Sequence, residues 1–289
     1  MVWINTVLQG ILLGGLYALL AAGLSLMFGV MRIVNLAHGV LAVVAAYVSL
    51  MLVEYLSVPP FLTIVLVIPV MFVIGYVLQR LTFNPAIKRG GLSPLLVAFG
   101  FAVVLTQVLQ AVFSADMRII QIGDLATASI SLPGDVSIGT FSAITFVVGL
   151  LVIAGLQYFL AHTSIGRAMR AASDDTEAVQ LMGINNLHLY GIATGIALSI
   201  VGLAGVFLGM RTQFSPTLGD ATLIFAFEAV IIGGLGSLWG TLAGGVLLGV
   251  AQLVGAQAAP AYGVLAGHVL FLLILAFRPN GLFPKVVNG

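Results

Sequence analysis

Apolar residues recur along this chain in runs of about twenty, each long enough to cross the ~30 Å hydrocarbon core of a bilayer. The runs are Val7–Val30, Leu36–Leu56, Phe61–Arg80, Ser93–Phe113, Phe141–His162, Leu187–Met210, Thr222–Gly236, Gly240–Ala256 and Tyr262–Phe277. They lack the two-residue alternation of barrel strands, and backbone groups in lipid must pair within the chain, so each run reads as a helix. The expected fold is therefore all-α, a polytopic transmembrane helical bundle of about 8–9 spans. The first run is too long for a signal-peptide core and has no Lys or Arg before it, so it reads as a retained span. The second run begins with polar residues, and the seventh and eighth are short and broken by glycine. If such a run re-enters instead of crossing, the count drops to eight.

Polar residues between the runs set the orientation, because short cytoplasmic loops are enriched in Lys and Arg. Asn84–Gly91 carries Lys88 and Arg89, Ser164–Asn186 carries Arg167 and Arg170, and the tail after Phe277 carries Arg278 and Lys285. Between the first two lies Ser114–Gly139, with Asp116, Asp124 and Asp135 against Arg118, as an outside loop would have. Nine spans leave the C-terminus inside and the N-terminus outside; eight move the N-terminus inside.

Composition agrees with a lipid-embedded chain. Of 289 residues, 61% are hydrophobic and 7% charged, where a soluble domain carries about 25% charged residues. A net charge of +1 gives no basic surface for a nucleic acid. Without cysteine there is no disulfide framework, thiolate metal site or cysteine nucleophile. No linker divides the chain, which reads as one transmembrane domain over residues 1–289. His162, His188 and His268 have no metal-ligand spacing, and nothing arranges a nucleophilic site, so no enzyme, metal or cofactor is expected.

Several of the 35 glycines fall four apart: Gly10 and Gly14, Gly191 and Gly195, Gly205 and Gly209, Gly236, Gly240 and Gly244, Gly245 and Gly249. That spacing lets helices approach closely, and such seams can also slide during gating. The glycine-rich stretches Gly10–Gly39 and Gly191–Gly219 look alike, a hint of the internal repeat found in many transporters.

The polar segment Ile165–Asn186 keeps a helical pattern. Asp174 with Glu177 has the spacing of a capping box and Gly183 that of a C-cap, which predicts a surface helix over about Asp175–Met182. Ala178, Val179, Leu181 and Met182 on so exposed a helix invite a partner protein.

Here the chain resembles a family. E-A-V-Q-L-M-G at Glu177–Gly183 is similar to the coupling loop of ABC importer permeases, with Val179 in place of the second alanine of Glu-Ala-Ala. G-R-A-M-R-A-A-S-D-D at Gly166–Asp175, N-L-A-H-G at Asn35–Gly39, E-A-V-I-I-G-G-L-G-S at Glu228–Ser237 and R-P-N-G-L-F at Arg278–Phe283 resemble branched-chain amino-acid permeases of high-affinity binding-protein systems. The resemblance covers nearly the whole chain in order, and urea and short-amide permeases share much of the pattern. It implies a type II-like permease of the bacterial inner membrane, with 164–186 as cytoplasmic coupling loop. The implied partners are two ABC ATPase subunits, a second permease, identical or homologous, and a periplasmic solute-binding protein. Arg167, Arg170, Asp174, Glu177 and Gly183 then form or position the docking helix. The chain has no P-loop motif and its lysines are Lys88 and Lys285, so any ATP is hydrolysed by another subunit.

Asn35, His38 and Gly39 open an apolar run, where a helix N-terminus presents free N–H groups to a solute carboxylate or simply carries a polar cap. Glu228 stands inside an apolar run, which is costly and often functional. It can meet a solute ammonium, pair with Arg211 or lie near the outer interface. Gly233 and Gly234, in the same motif, complete the candidate pathway. An ion-gradient-driven secondary transporter, a channel and a scaffold remain as alternatives.

Overall fold

A computed structural model describes residues 2–132 and 136–283; Asp135 and Lys285 of the charge pattern lie outside the described residues. Helix α1 covers Val2–Met31 and α2 His38–Leu56. A 3-10 turn at Pro60–Leu62 leads into α3, Thr63–Leu78, which continues through a π-helical turn, Gln79–Phe83, into α4, Asn84–Arg89. Then follow α5, Ser93–Phe113, a hairpin of β1, Ser129–Leu132, and β2, Val136–Gly139, and α6, Thr140–His162. The polar segment forms α7, Ser164–Asp174, and α8, Thr176–Leu181. The chain ends in α9, Asn186–Arg211, α10, Leu218–Gly233, α11, Leu238–Ala258, and α12, Tyr262–Phe277.

Among the described residues seven helices are long and apolar enough to span a membrane: α1, α2, the continuous Pro60–Arg89, α5, α6, α9 and α11. The 16-residue α12 is a shorter apolar helix, and α10 also has 16 residues. Such a helix reaches about 24 Å, short of the hydrocarbon thickness. The run expected at Thr222–Gly236 thus starts earlier, at Leu218, and stops at Gly233. The surface helix expected at about Asp175–Met182 is α8, Thr176–Leu181, preceded by a second helix, α7, and Asp174 is not its cap. Asp174 ends α7, while the Asp175 carboxylate accepts the N–H groups of Glu177 and Ala178.

The α1 and α9 helices form the enclosed centre of the bundle, because their small residues admit neighbours to backbone distance. A Cβ on Gly10 would sit 2.6 Å from Val250 Cα, and one on Gly245 2.7 Å from the Ala18 nitrogen, so α1 and α11 run antiparallel in contact. Gly191 and Gly195 receive the rings of Tyr76 and Phe72 from α3, and Gly205 and Gly209 receive Ala42 and Ala46 from α2. In contrast, α5 fully buries Ala98 and Leu109, packs Phe101, Ala102, Leu105 and Phe113 against the core, and turns Leu96, Phe99, Val104, Val108 and Val112 outward.

Contacts sort the helix ends into two faces. Arg32 reaches the Ser173 carbonyl, Asn84 the Leu187 carbonyl, Gly29 lies against Gly236, and Gly234 against Gly281. This face carries Lys88, Arg89, Arg167, Arg170 and Arg278 and is cytoplasmic by the positive-inside rule. At the other face Gln9 reaches the Ser137 carbonyl, Phe61 meets Phe141, and Arg211 donates to Ser142.

Two breaks give the bundle its centre. After α1 the chain is non-helical over 32–37, and after α9 over 212–217, both stretches ending in a tight turn before α2 and α10 begin. α1 runs toward the cytoplasmic face and α9 away from it, so the two helix–break–helix units run in opposite directions, the arrangement of an inverted repeat.

Candidate functional site

The first break is held by its own polar side chains. The Asn35 carboxamide oxygen accepts the Ala37 N–H at 3.0 Å, which makes the turn, and α2 starts at His38. His38 Nε2 donates to the Leu20 carbonyl at 2.8 Å. Leu20 lies mid-way along α1, so α2 begins inside the bundle and not at its surface. Asn35 and His38 are 0% and 1% exposed, and neither Asn35 Nδ2 nor His38 Nδ1 has a hydrogen-bond partner among the described residues.

The second break is pinned from the opposite side. Phe214 and Arg118 exchange backbone hydrogen bonds of 2.8 Å, and Ile120 donates to the Gly209 carbonyl. From there α10 starts at Leu218, and Gly219 lies backbone to backbone with Gly39 and Val40 of α2. The N-termini of two discontinuous helices therefore meet within the membrane region. Their first N–H groups have no carbonyl partner in their own helices, and the helix dipoles add positive character.

Beside this junction is a cavity of about 410 Å³ lined by Leu36, Phe99, Ala102, Val103, Thr106, Gln107, Asp220 and Leu223. Its volume falls within the range of small-molecule sites. Asp220, in the first turn of α10, is exposed. The cavity thus combines a carboxylate, an amide, a hydroxyl and an apolar wall with two helix N-termini.

Of the residues singled out from the sequence, Asn35, His38 and Gly39 lie at the start of α2, beside the junction, and none of the three lines the cavity. Glu228 does not line this cavity. It is 4% exposed and binds His268 of α12, Nδ1 to Oε1, at 2.5 Å, while Oε2 has no partner among the described residues. The alternative pairing with Arg211 is replaced, since Arg211 donates to the Ser142 hydroxyl. Gly233 packs on Gly240 and Gly234 on Gly281, at the cytoplasmic end of α10. Asp220, Gln107 and Thr106 escaped the sequence reading, and His268 entered it only as a histidine without metal-ligand spacing. Asp220 stands two residues before the apolar run that begins at Thr222, so it did not carry the signal of Glu228, a carboxylate inside such a run.

At the cytoplasmic face Arg167 and Arg170 donate to the His162 and Ala161 carbonyls, closing the C-terminal end of α6. Glu177 lies in the first turn of α8. Gly183, at φ +80°, donates to Gln180, and Ile184 donates to Val179, a left-handed C-cap that only glycine adopts without cost. Val179 is buried as an anchor, whereas Leu181 and Met182 are 89% and 67% exposed. Among the described residues no group of three His, Cys, Asp or Glu is placed to hold a metal ion.

Residues 6–277 match the family model described as branched-chain amino acid transport system / permease component. The chain is 30% identical over 298 residues to the high-affinity branched-chain amino acid transport system permease protein BraD of Pseudomonas aeruginosa, covering 98% of this chain and 96% of that one. It is 27% identical over 297 residues to the corresponding permease protein LivH of Escherichia coli K12, with coverage of 98% and 96%. A ribose import permease protein, RbsC of Haemophilus influenzae, is 30% identical over 203 residues, 65% of this chain and 59% of that one. The chain is a multi-pass protein of the bacterial inner membrane and a transport subunit without catalytic activity of its own. It belongs to the family of permease components of branched-chain amino acid transport systems.

Proposed function

We propose that this chain is the translocating subunit of an ATP-driven importer for branched-chain or related amino acids, and that the cavity beside the α2–α10 junction is part of the solute path. The observation that carries the reading is the meeting of two helix N-termini next to Asp220. An amino-acid carboxylate suits the N–H groups, its ammonium suits Asp220, and an aliphatic side chain suits Phe99, Val103 and Leu223. A sugar or urea has no ammonium for Asp220, which favours amino acids over those solutes. The relatives' names support the same solute class.

Family membership suggests the usual importer partners: an ATPase, a second permease and a periplasmic binding protein. In this reading the chain is one transmembrane domain with 164–186 as its coupling loop. The ATPase seats on Leu181 and Met182, and α7 with Arg167 and Arg170 carries its motion to α6. The outward surface of α5 receives the second permease, which closes the cavity.

The test is uptake of labelled leucine, isoleucine and valine into proteoliposomes holding the complex that co-purifies with this chain, with the binding protein outside and ATP inside. ATP-dependent accumulation of these amino acids, with little urea or ribose, is the expected result. Accumulation driven by a proton gradient without ATP overturns the reading.

A further inference from the structure

A second cavity, of about 310 Å³, lies at the cytoplasmic end of the bundle, away from the α2–α10 junction. Its walls are Ser25 and Gly29 of α1, Gln157 and Leu160 of α6, Arg170 of α7, and the start of α11 from Ser237 to Trp239. Three features of this cavity favour an anion. Arg170 brings a positive charge, and among the described residues its guanidinium makes one hydrogen bond, of 3.3 Å, to the Ala161 carbonyl. The 21-residue α11 starts here. The Ser237 hydroxyl accepts the Gly240 N–H, but the N–H groups of Leu238 and Trp239 have no carbonyl partner in their own helix. Ser25 lines the cavity at 1% exposure, and its hydroxyl has no hydrogen-bond partner among the described residues.

The rim fits a lipid. Trp239 is 49% exposed and Leu235 38% exposed, and Gln157 is also exposed, so the cavity opens beside apolar surface at the level of the cytoplasmic headgroups. A smaller adjoining cavity of about 170 Å³ adds Arg32, whose guanidinium reaches the Ser173 carbonyl at 3.4 Å. Among the described residues Asp174 is the one carboxylate lining either cavity. Basic pockets between helices on this side of a membrane suit anionic headgroups.

We propose that this cavity binds a phosphate group, carried by an anionic phospholipid of the cytoplasmic leaflet and held by Arg170, the α11 N-terminus and the Ser25 hydroxyl. The lipid is then a wedge between α6, which leads into the α7 segment, and α11. The site does not share residues with the α2–α10 cavity, so its failure leaves the solute reading untouched.

The experiment is native mass spectrometry of the purified full chain, titrated with phosphatidylglycerol, phosphatidylcholine or inorganic phosphate. Each titration is repeated with Arg170→Gln, Gln157→Leu and, as an equal loss of charge on the same face, Arg278→Gln. Retention of phosphatidylglycerol over phosphatidylcholine, reduced about fivefold by Arg170→Gln and unchanged by Arg278→Gln, is expected from one lost Arg–phosphate contact. Gln157→Leu, at an exposed rim position, gives a second reading if Arg170→Gln does not fold; it is expected to reduce phosphatidylglycerol retention. Inorganic phosphate bound with the same Arg170 dependence, while the lipids show no preference, keeps the phosphate site and moves its source to the cytosol. Equal retention of the two lipids together with no phosphate binding, or equal loss in Arg170→Gln and Arg278→Gln, overturns the proposal.

Discussion

Glu228 of α10 and His268 of α12 meet at 2.5 Å, with the carboxylate buried and the imidazole about one-third exposed. The ring of Phe225 stacks on His268 and tilts against Tyr17, whose hydroxyl binds Gln252 of α11. One cluster thus links α1, α10, α11 and α12, and α12 also packs closely on α11, where Gly255 faces Tyr262 and Ala266 and Gly267 faces Leu248 and Gln252.

Removing one partner of a buried pair leaves the other uncompensated, at a cost of about 3 kcal/mol. His268→Leu is expected to lower unfolding stability in mild detergent by that order. The double variant Glu228→Leu/His268→Leu should recover most of the loss. Equal stability of His268→Leu and the native chain in a denaturation series would show that the contact contributes nothing.

Glycine is not interchangeable along this chain. Gly10→Ala drives a methyl group to 2.6 Å from Val250 Cα and is expected to cost about 1–3 kcal/mol as α1 and α11 are pushed apart. Gly155 has nothing within 4 Å of an added Cβ, so Gly155→Ala is expected to be neutral or to stabilise α6 by up to about 1 kcal/mol. Melting curves of the two variants in the same detergent check the difference.

Asp220→Asn keeps the size of the side chain and removes its charge. If that charge meets the solute ammonium, ATP-driven uptake drops by about tenfold or more, the value of one charge-assisted hydrogen bond. Asp124→Asn, in the short 3-10 turn of the outer loop, serves as the unaffected comparison. Uptake that is equal in both variants removes Asp220 from the path.

Gly183→Pro fails on two counts, since proline holds φ near −65° where +80° is needed and has no N–H to donate to Gln180. Uptake should be abolished with the protein still in the membrane. Leu181→Asp alters an 89% exposed side chain and leaves the bundle intact. Co-purification of the ATPase is expected to decrease about tenfold or more, as for a central apolar contact. Wild-type recovery of the ATPase with Leu181→Asp would move the docking surface elsewhere.

Much of the fold is legible in the residues, because the cost of an unpaired backbone group in lipid turns any long apolar run into a helix. The runs ending at Leu56, Phe113, His162 and Phe277 stop where the helices stop. Four-residue glycine spacing marks the seams at Gly10 and Gly14 and at Gly245 and Gly249, since a missing Cβ is visible in the sequence. The partner across a seam is not visible, because any apolar helix will accept the contact. Asp175 instead of Asp174 became the cap of α8 for a similar reason. Two adjacent carboxylates offer the same chemistry, and the backbone of α7 decides which one faces the free N–H groups.

The candidate site divides along the same line. Asn35 and His38 stand out in the sequence as polar groups at the start of an apolar run, and Glu228 as a carboxylate within one. Their fates depend on depth and facing, which a linear pattern does not contain. His38 is carried to the level of Leu20 by six non-helical residues, Gly39 meets Gly219, 180 positions further on, and Glu228 turns to His268 on a later helix. Composition and periodicity alone determined that this protein lives in lipid as a helical bundle, because transfer from water is a sum over residues. Tertiary packing decided which two helices start inside the bundle and meet there, because that depends on close contacts between segments far apart in the chain.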